Sequence, residues 1–216
     1  AEVGYQKVGT MIFNLALCLG VIAASAAEEP MEGAHKSKDL DIRDVINVTE
    51  RLVVIRRKHT NETHLRCHSA LKMGAGNDTP GYIYLLKARS GTNSSAAYVH
   101  SIVNVTLLPL KGSKRYKATY LDGENKPWTR YNLTLKQKDS NEGCFVILVE
   151  KSTGQAGCEL VVPVSKRNIK IPETCENYYT HNCTGTSLEL YDPTCRYDKL
   201  DTNHNDSAAN TTVIGC

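Results

Sequence analysis

From Arg51 to Val164 the chain is a succession of short apolar-rich runs separated by turn-forming residues. Eight runs are predicted as strands: Arg51–His59, Thr63–Met73, Gly81–Ala88, Ala97–Leu108, Arg115–Leu121, Thr129–Gln137, Cys144–Glu150 and Cys158–Val164. Between them stand turns such as Gly74-Ala-Gly-Asn-Asp, Ser90-Gly-Thr-Asn, Asp122-Gly-Glu-Asn and Asp139-Ser-Asn-Glu-Gly. Glycine, asparagine and aspartate accept the backbone angles that tight turns require. Eight evenly spaced strands with such turns predict an all-β protein, an antiparallel sandwich or barrel. Helix is scarce: Ile42, Val45 and Ile46 suit a short N-terminal helical turn, and one C-terminal helix is expected from Pro172 to about Thr180.

Upstream, an apolar run from Ile12 to Ile22 ends in Ala23-Ala-Ser-Ala-Ala27. This is the pattern of a secretory signal peptide, residues 11–27, cleaved near Ala27–Glu28. A membrane anchor is the competing reading, but the run is short for a span. Met11 then reads as the start and residues 1–10 as translated leader. Residues 28–38 are polar and expected to be disordered, 39–198 form the folded domain, and 199–216 a flexible glycosylated tail. With no second long apolar stretch, a secreted, extracellular protein off the membrane is expected.

The charge of +3 is mild and its basic residues are scattered, Arg56-Arg57-Lys58 being the densest run, so nucleic acid is a poor partner. Cys18 leaves with the signal, and Cys67, Cys144, Cys158, Cys175, Cys183, Cys195 and Cys216 remain. In a secreted chain these are expected as disulfides, with one cysteine over; terminal Cys216 is the candidate for an intermolecular bond. Sequons at Asn47, Asn61, Asn77, Asn93, Asn104, Asn132, Asn182, Asn205 and Asn210 predict a heavily glycosylated surface.

Glycans also orient strands, because a branched sugar cannot fit inside a closed barrel and side chains alternate faces. Asn132 outward puts Tyr131, Leu133 and Leu135 inward; Asn104 outward does the same for Val103, Val105 and Leu107. Cysteines that tie strands to an outer segment work alike. Cys144 outward directs Phe145, Ile147 and Val149 inward, and Cys158 outward directs Glu159 and Val161 inward. Tyr116 and Tyr120 share one face of their strand, as do Tyr82 and Tyr84 of theirs. The expected interior thus gathers Tyr82, Tyr84, Tyr116, Tyr120, Tyr131, Phe145 and a single carboxylate, Glu159. Buried phenols need partners, and an eight-stranded barrel leaves room for one small ligand. An acid among aromatic rings suits a cationic amine, through Coulomb attraction and cation–π contact. If the parity slips by one residue, Glu159 faces water instead.

At Cys144-Phe-Val-Ile-Leu-Val, Cys158-Glu-Leu-Val-Val and Cys175…Cys195 the chain resembles the tick salivary lipocalins, including the histamine-binding proteins. The resemblance spans roughly Asp39 to Tyr197 and is strongest in the last third. It implies an eight-stranded lipocalin barrel with a C-terminal helix packed outside and a biogenic amine such as histamine or serotonin held within. It also implies disulfides from the second and seventh strands to the tail. On this chain these become Cys67–Cys195 and Cys144–Cys175, leaving Cys158–Cys183 as the third. The chain departs from the amine-binding pattern at two places: Asp44-Val45-Ile46 stands where an Asp-x-Trp is usual, and Val161 where the eighth strand carries tryptophan. Trp128, the sole tryptophan, stands at a strand start and suits packing as well as ligand contact.

Catalysis is not expected, since no nucleophile elbow, phosphate-binding loop or His-Glu-x-x-His occurs. His64 and His68 stand four apart, but on a strand rather than a helix, so neither a metal site nor a cofactor is expected. Three functions remain. A small-mediator scavenger would hold an amine, or else an eicosanoid served by a basic residue near the barrel mouth, with Arg56, Arg66 and Arg130 as candidates. A decoy would act on a host defence protein, complement or clotting factors, through its loops. A structural glycoprotein would dimerise through Cys216, where the other two are monomers.

Overall fold

The computed structural model describes residues 39–58, 63–76, 80–123 and 128–197, all within one unit of the chain, Ser37–Cys216. The expected leader (1–10), signal peptide (11–27), polar segment (28–38) and tail (199–216) lie outside the described residues. So do sequons Asn61, Asn77, Asn205 and Asn210, and Cys216.

Eight strands form the body: β1 (Leu52–Lys58), β2 (Leu65–Ala75), β3 (Gly81–Ser90), β4 (Tyr98–Pro109), β5 (Tyr116–Asp122), β6 (Thr129–Lys138), β7 (Phe145–Lys151) and β8 (Ala156–Pro163). Each pairs antiparallel with the next, and β1 pairs with both β8 and β2, which closes the sheet into a barrel. Alternation carries the hydrophobic pattern through. In β4, Ser101, Val103, Val105 and Leu107 are buried while Ile102 and Asn104 are exposed. A short helix, α1 (Arg43–Ile46), plugs one end, with Ile42, Val45 and Ile46 packed among Phe145, Leu107 and Leu135. The backbone N–H of Leu40 donates to Leu135 O (2.9 Å) and that of Ile42 to Tyr116 O (3.0 Å), so this plug is hydrogen-bonded to the barrel rim.

A second apolar layer lies outside the barrel. Val53 and Ile55 of β1, Val146 of β7, and Leu160 and Val162 of β8 bury their outward side chains under α2 (Glu173–Asn182). This double-sided burial explains why Phe145–Val149 reads as an unbroken apolar run rather than an alternation. Disulfides Cys144–Cys175 and Cys158–Cys183 pin the two ends of α2 to β7 and β8. Lys58 Nζ donates to the carbonyls of Tyr179 (3.0 Å), Thr180 (3.1 Å) and Cys183 (3.0 Å), satisfying the end of the helix where its dipole favours a cation. Arg56 completes the contact by pairing with Glu176.

The structure adds a ninth strand, β9 (Ser187–Glu189), to the eight the sequence predicts. β1 and β2 pair only at Leu52–Ala70 and Val53–Ser69; beyond that they diverge and β9 pairs with β1 instead. The N–H of Cys67, held at φ +57°, donates to Leu190 O at 2.6 Å, and Cys67–Cys195 bonds the same seam. The tail therefore fills a gap in the barrel wall.

Arg89, fully buried, anchors that tail. Its guanidinium donates to Thr194 Oγ1 (2.8 Å), Asp192 Oδ2 (2.6 Å) and the carbonyls of Gly91 (3.1 Å) and Thr92 (3.2 Å). Arg89→Ala should lower unfolding stability by about 2–3 kcal/mol, less than a fully buried pair would cost because Asp192 stays partly in water. Urea unfolding checks the loss, and hydrogen exchange should show faster opening at residues 190–195.

Candidate functional site: a barrel cavity with a charged end

The barrel encloses a cavity of about 120 Å³. Ile42, Val45 and Ile46 from the α1 plug floor it, and inward positions of the strands wall it, including Val54, Val103, Ala118 and Ile147. Such a wall follows from period-2 alternation, because every second residue of each strand meets at the axis. A cavity of this volume is close to the roughly 150 Å³ that accepts a benzene-sized guest.

Polar groups gather away from α1. Glu159 of β8 lines the cavity with Tyr84 and Tyr120. Burial raises the pKa of Glu159 above its ordinary value, partly opposed by the positive charges of Arg57 and Lys151. Burial likewise raises the phenol of Tyr84, which therefore stays protonated. Tyr120 stacks on Tyr131, ring centroids 4.7 Å apart and planes 7° from parallel, and Lys151 Nζ stands 5.8 Å from the Tyr131 ring. Asp122 is buried and accepts a hydrogen bond from Ser101 Oγ at 2.8 Å. His68 is buried and touches the cavity, whereas His64 is exposed, so the two do not form a ligand pair.

Of the residues expected as ligand contacts, the structure brings Glu159, Tyr84 and Tyr120 onto the cavity wall. Tyr82, Tyr116, Tyr131 and Phe145 also belong to the interior core but stand outside that wall. Tyr82 lies under Lys72 Nζ (5.7 Å), Tyr116 under Arg43 (4.6 Å), and Phe145 is fully buried. Trp128 is exposed on the outside. The expectation of a single interior carboxylate is corrected by Asp122, which the turn pattern assigns to a loop; β5 runs one position further than its apolar pattern and turns Asp122 inward. The basic candidates stand outside the cavity wall. Arg56 grips α2 on the outside, Arg130 is exposed, and Arg66 donates to the carbonyls of Thr63 and Leu65. The interior arginine is Arg57. A bulge between Val54 and Arg56 shifts the alternation, so Leu52, Val54 and Arg57 share the inner face.

Asn47, Asn93, Asn104 and Asn182 are exposed, and Asn132 is half-buried on an outward position of β6. Cys67, Asp192 and Cys195 converge within 4.8 Å, but the two sulfurs are bonded to each other and have no thiolate to offer a metal. No helix among the described residues is long and apolar enough to cross a membrane.

A closed eight-stranded antiparallel barrel, plugged at one end and hollow within, is the architecture of a lipocalin-type binding protein. The family model for the tick histamine binding protein matches residues 32–197, and the chain belongs to that family. Comparison with curated proteins gives no significant match. Membership supports small-molecule binding within the barrel, not catalysis.

Proposed function

We propose that this protein is a secreted salivary scavenger that takes up a biogenic amine, such as histamine or serotonin, and so blunts host inflammatory and haemostatic signalling. One observation carries the reading: a carboxylate, Glu159, lies in the wall of a ring-sized apolar cavity beside Tyr84 and Tyr120. An ammonium there exchanges its hydration for a charge-assisted hydrogen bond and for the negative faces of the rings. Depletion needs affinity rather than turnover, which agrees with a family known for ligand binding. Family membership and the apolar run at residues 12–22 support secretion, and the exposed sequons support a glycosylated surface.

The cavity volume favours an amine over the alternative, an eicosanoid. A cavity of about 120 Å³ suits a single ring, and a long fatty-acid chain is several times that size. Calorimetric titration of the disulfide-intact protein with histamine, serotonin and leukotriene tests this. Micromolar or tighter amine binding with no leukotriene heat is the expected result. Leukotriene binding alone would replace the amine by a lipid. Silence with all three would leave a decoy for a host defence protein, acting through its loops.

A further inference from the structure

The charged end of the interior holds more than an amine requires. Arg57 is only 2% exposed, and its Nε and Nη1 are enclosed without a hydrogen-bond partner. It stands directly opposite Glu159 in the β1–β8 register, so both side chains leave the sheet on the inner face; Glu159 lines the cavity, and Arg57 stands beside it just outside that wall. The neighbours Arg56 and Lys58 point the other way and are committed to α2, through Glu176 and the helix-end carbonyls. A guanidinium is a rigid fork of donors matched to planar anions, and burying it with donors unmet is costly. Such a group, held beside a ligand cavity, marks a place where an acceptor arrives with the ligand.

Charge balance narrows that ligand. Arg57 and Lys151 act on Glu159 through their charges, Asp122 is buried on an inward position of β5, and His68 lines the cavity. Lys87 also touches the cavity but carries its ammonium 4.7 Å from the Tyr98 ring. Glu159 thus has two cations within electrostatic reach. A ligand with only an ammonium adds an unbalanced positive charge next to Arg57 and Lys151, where low dielectric makes like charges repel strongly. A ligand with only a carboxylate adds the opposite excess beside Glu159 and Asp122. A ligand carrying both adds no net charge to this end and brings an acceptor for the guanidinium of Arg57.

We propose that the barrel's preferred guest is ampholytic: an aromatic α-amino-acid-like molecule whose ammonium meets Glu159 while its carboxylate is taken by the fork of Arg57. The inference rests on the amine reading above and extends it. Arg57 then selects for the carboxylate, and the apolar cavity receives the ring.

The test is calorimetry on the disulfide-intact protein with two matched pairs, histamine against histidine and serotonin against 5-hydroxytryptophan. The member bearing the carboxylate should bind on the order of ten- to a hundredfold more tightly, as a hydrogen bond to a charged group implies. In Arg57→Met that preference should vanish, with the amine bound several-fold better because a like charge has gone. Arg57→Met should also melt at a higher temperature than the wild type, since its unmet donors are removed; should it fail to fold, Arg57→Lys, which keeps the charge and loses the fork, takes its place. Amines that bind while their amino acids bind no better would overturn the ampholyte and leave the amine reading standing. A preference that survives in the Arg57 variant would overturn the role of Arg57. No binding of any of the four would overturn both readings.

Discussion

Replacing Cys67 and Cys195 together by alanine is expected to lower the unfolding free energy by about 5 kcal/mol, the largest loss among the three disulfides. The bond spans 128 residues, against 31 for Cys144–Cys175 and 25 for Cys158–Cys183. Loop-closure entropy grows with the logarithm of that span, so the Cys158/Cys183 pair should cost about 3.5 kcal/mol by the same account. Position adds to length. Cys67–Cys195 closes the seam where β1 and β2 diverge and β9 stands in, while the other two fasten α2 onto strands already paired on both sides. Urea unfolding of the two double variants, followed by circular dichroism, measures the difference. A loss for Cys67/Cys195 no larger than for Cys158/Cys183 would mean that Arg89 and the β9 hydrogen bonds hold the seam without the disulfide.

Glu159→Gln is expected to weaken amine binding about a hundredfold, the usual consequence of removing one member of a buried charged pair. Glutamine keeps the shape and a carbonyl acceptor, so the charge is what the substitution tests. The pH dependence supplies a second readout. Burial raises the folded-state pKa of Glu159 against the opposing charges of Arg57 and Lys151. The folded protein therefore holds this proton to a higher pH than the unfolded chain does. Between the ordinary value of 4.5 and the raised one, stability falls as pH rises, because the ionised carboxylate is favoured by unfolding. Amine affinity moves the other way over the same window, since it needs the ionised form. Asp122 and His68 are buried too, so the slope belongs to Glu159 only where the glutamine variant lacks it. Thermal unfolding and calorimetry at a series of pH values, wild type against Glu159→Gln, check both signs. Affinity that is flat with pH, or equal in the two proteins, would remove Glu159 from the site.

The barrel interior was legible to an unusual degree where strands are regular and something marks their outer face. Asn132 and Asn104, as sequons, and Cys144 and Cys158, as attachment points, each orient a strand. In the structure Leu135, Val105, Ile147 and Val161 all lie in the inner core. The charged end was less legible for a connected reason. Asp122 and Lys151 each sit one position past the end of the expected strand, where hydrophobic patterning has nothing left to report. A strand in a closed sheet is ended by its hydrogen-bonded neighbours, so β5 and β7 continue through these charges because β6 pairs with both.

What the sequence by itself determined is the number and order of the eight barrel strands, the terminal helix and the inward face of the regular strands. These rest on local alternation and turn chemistry, which act over a few residues. The tertiary structure alone decided which arginine enters the barrel and how the wall closes. At the bulge after Val54, Ile55 O accepts from both Leu190 and Tyr191, residues more than a hundred positions away. The same tail contributes β9, whose three residues, Ser187 to Glu189, carry too little apolar pattern to announce a strand. Its place is set by backbone groups left unpaired where β1 and β2 part, a requirement that appears only once the sheet has closed.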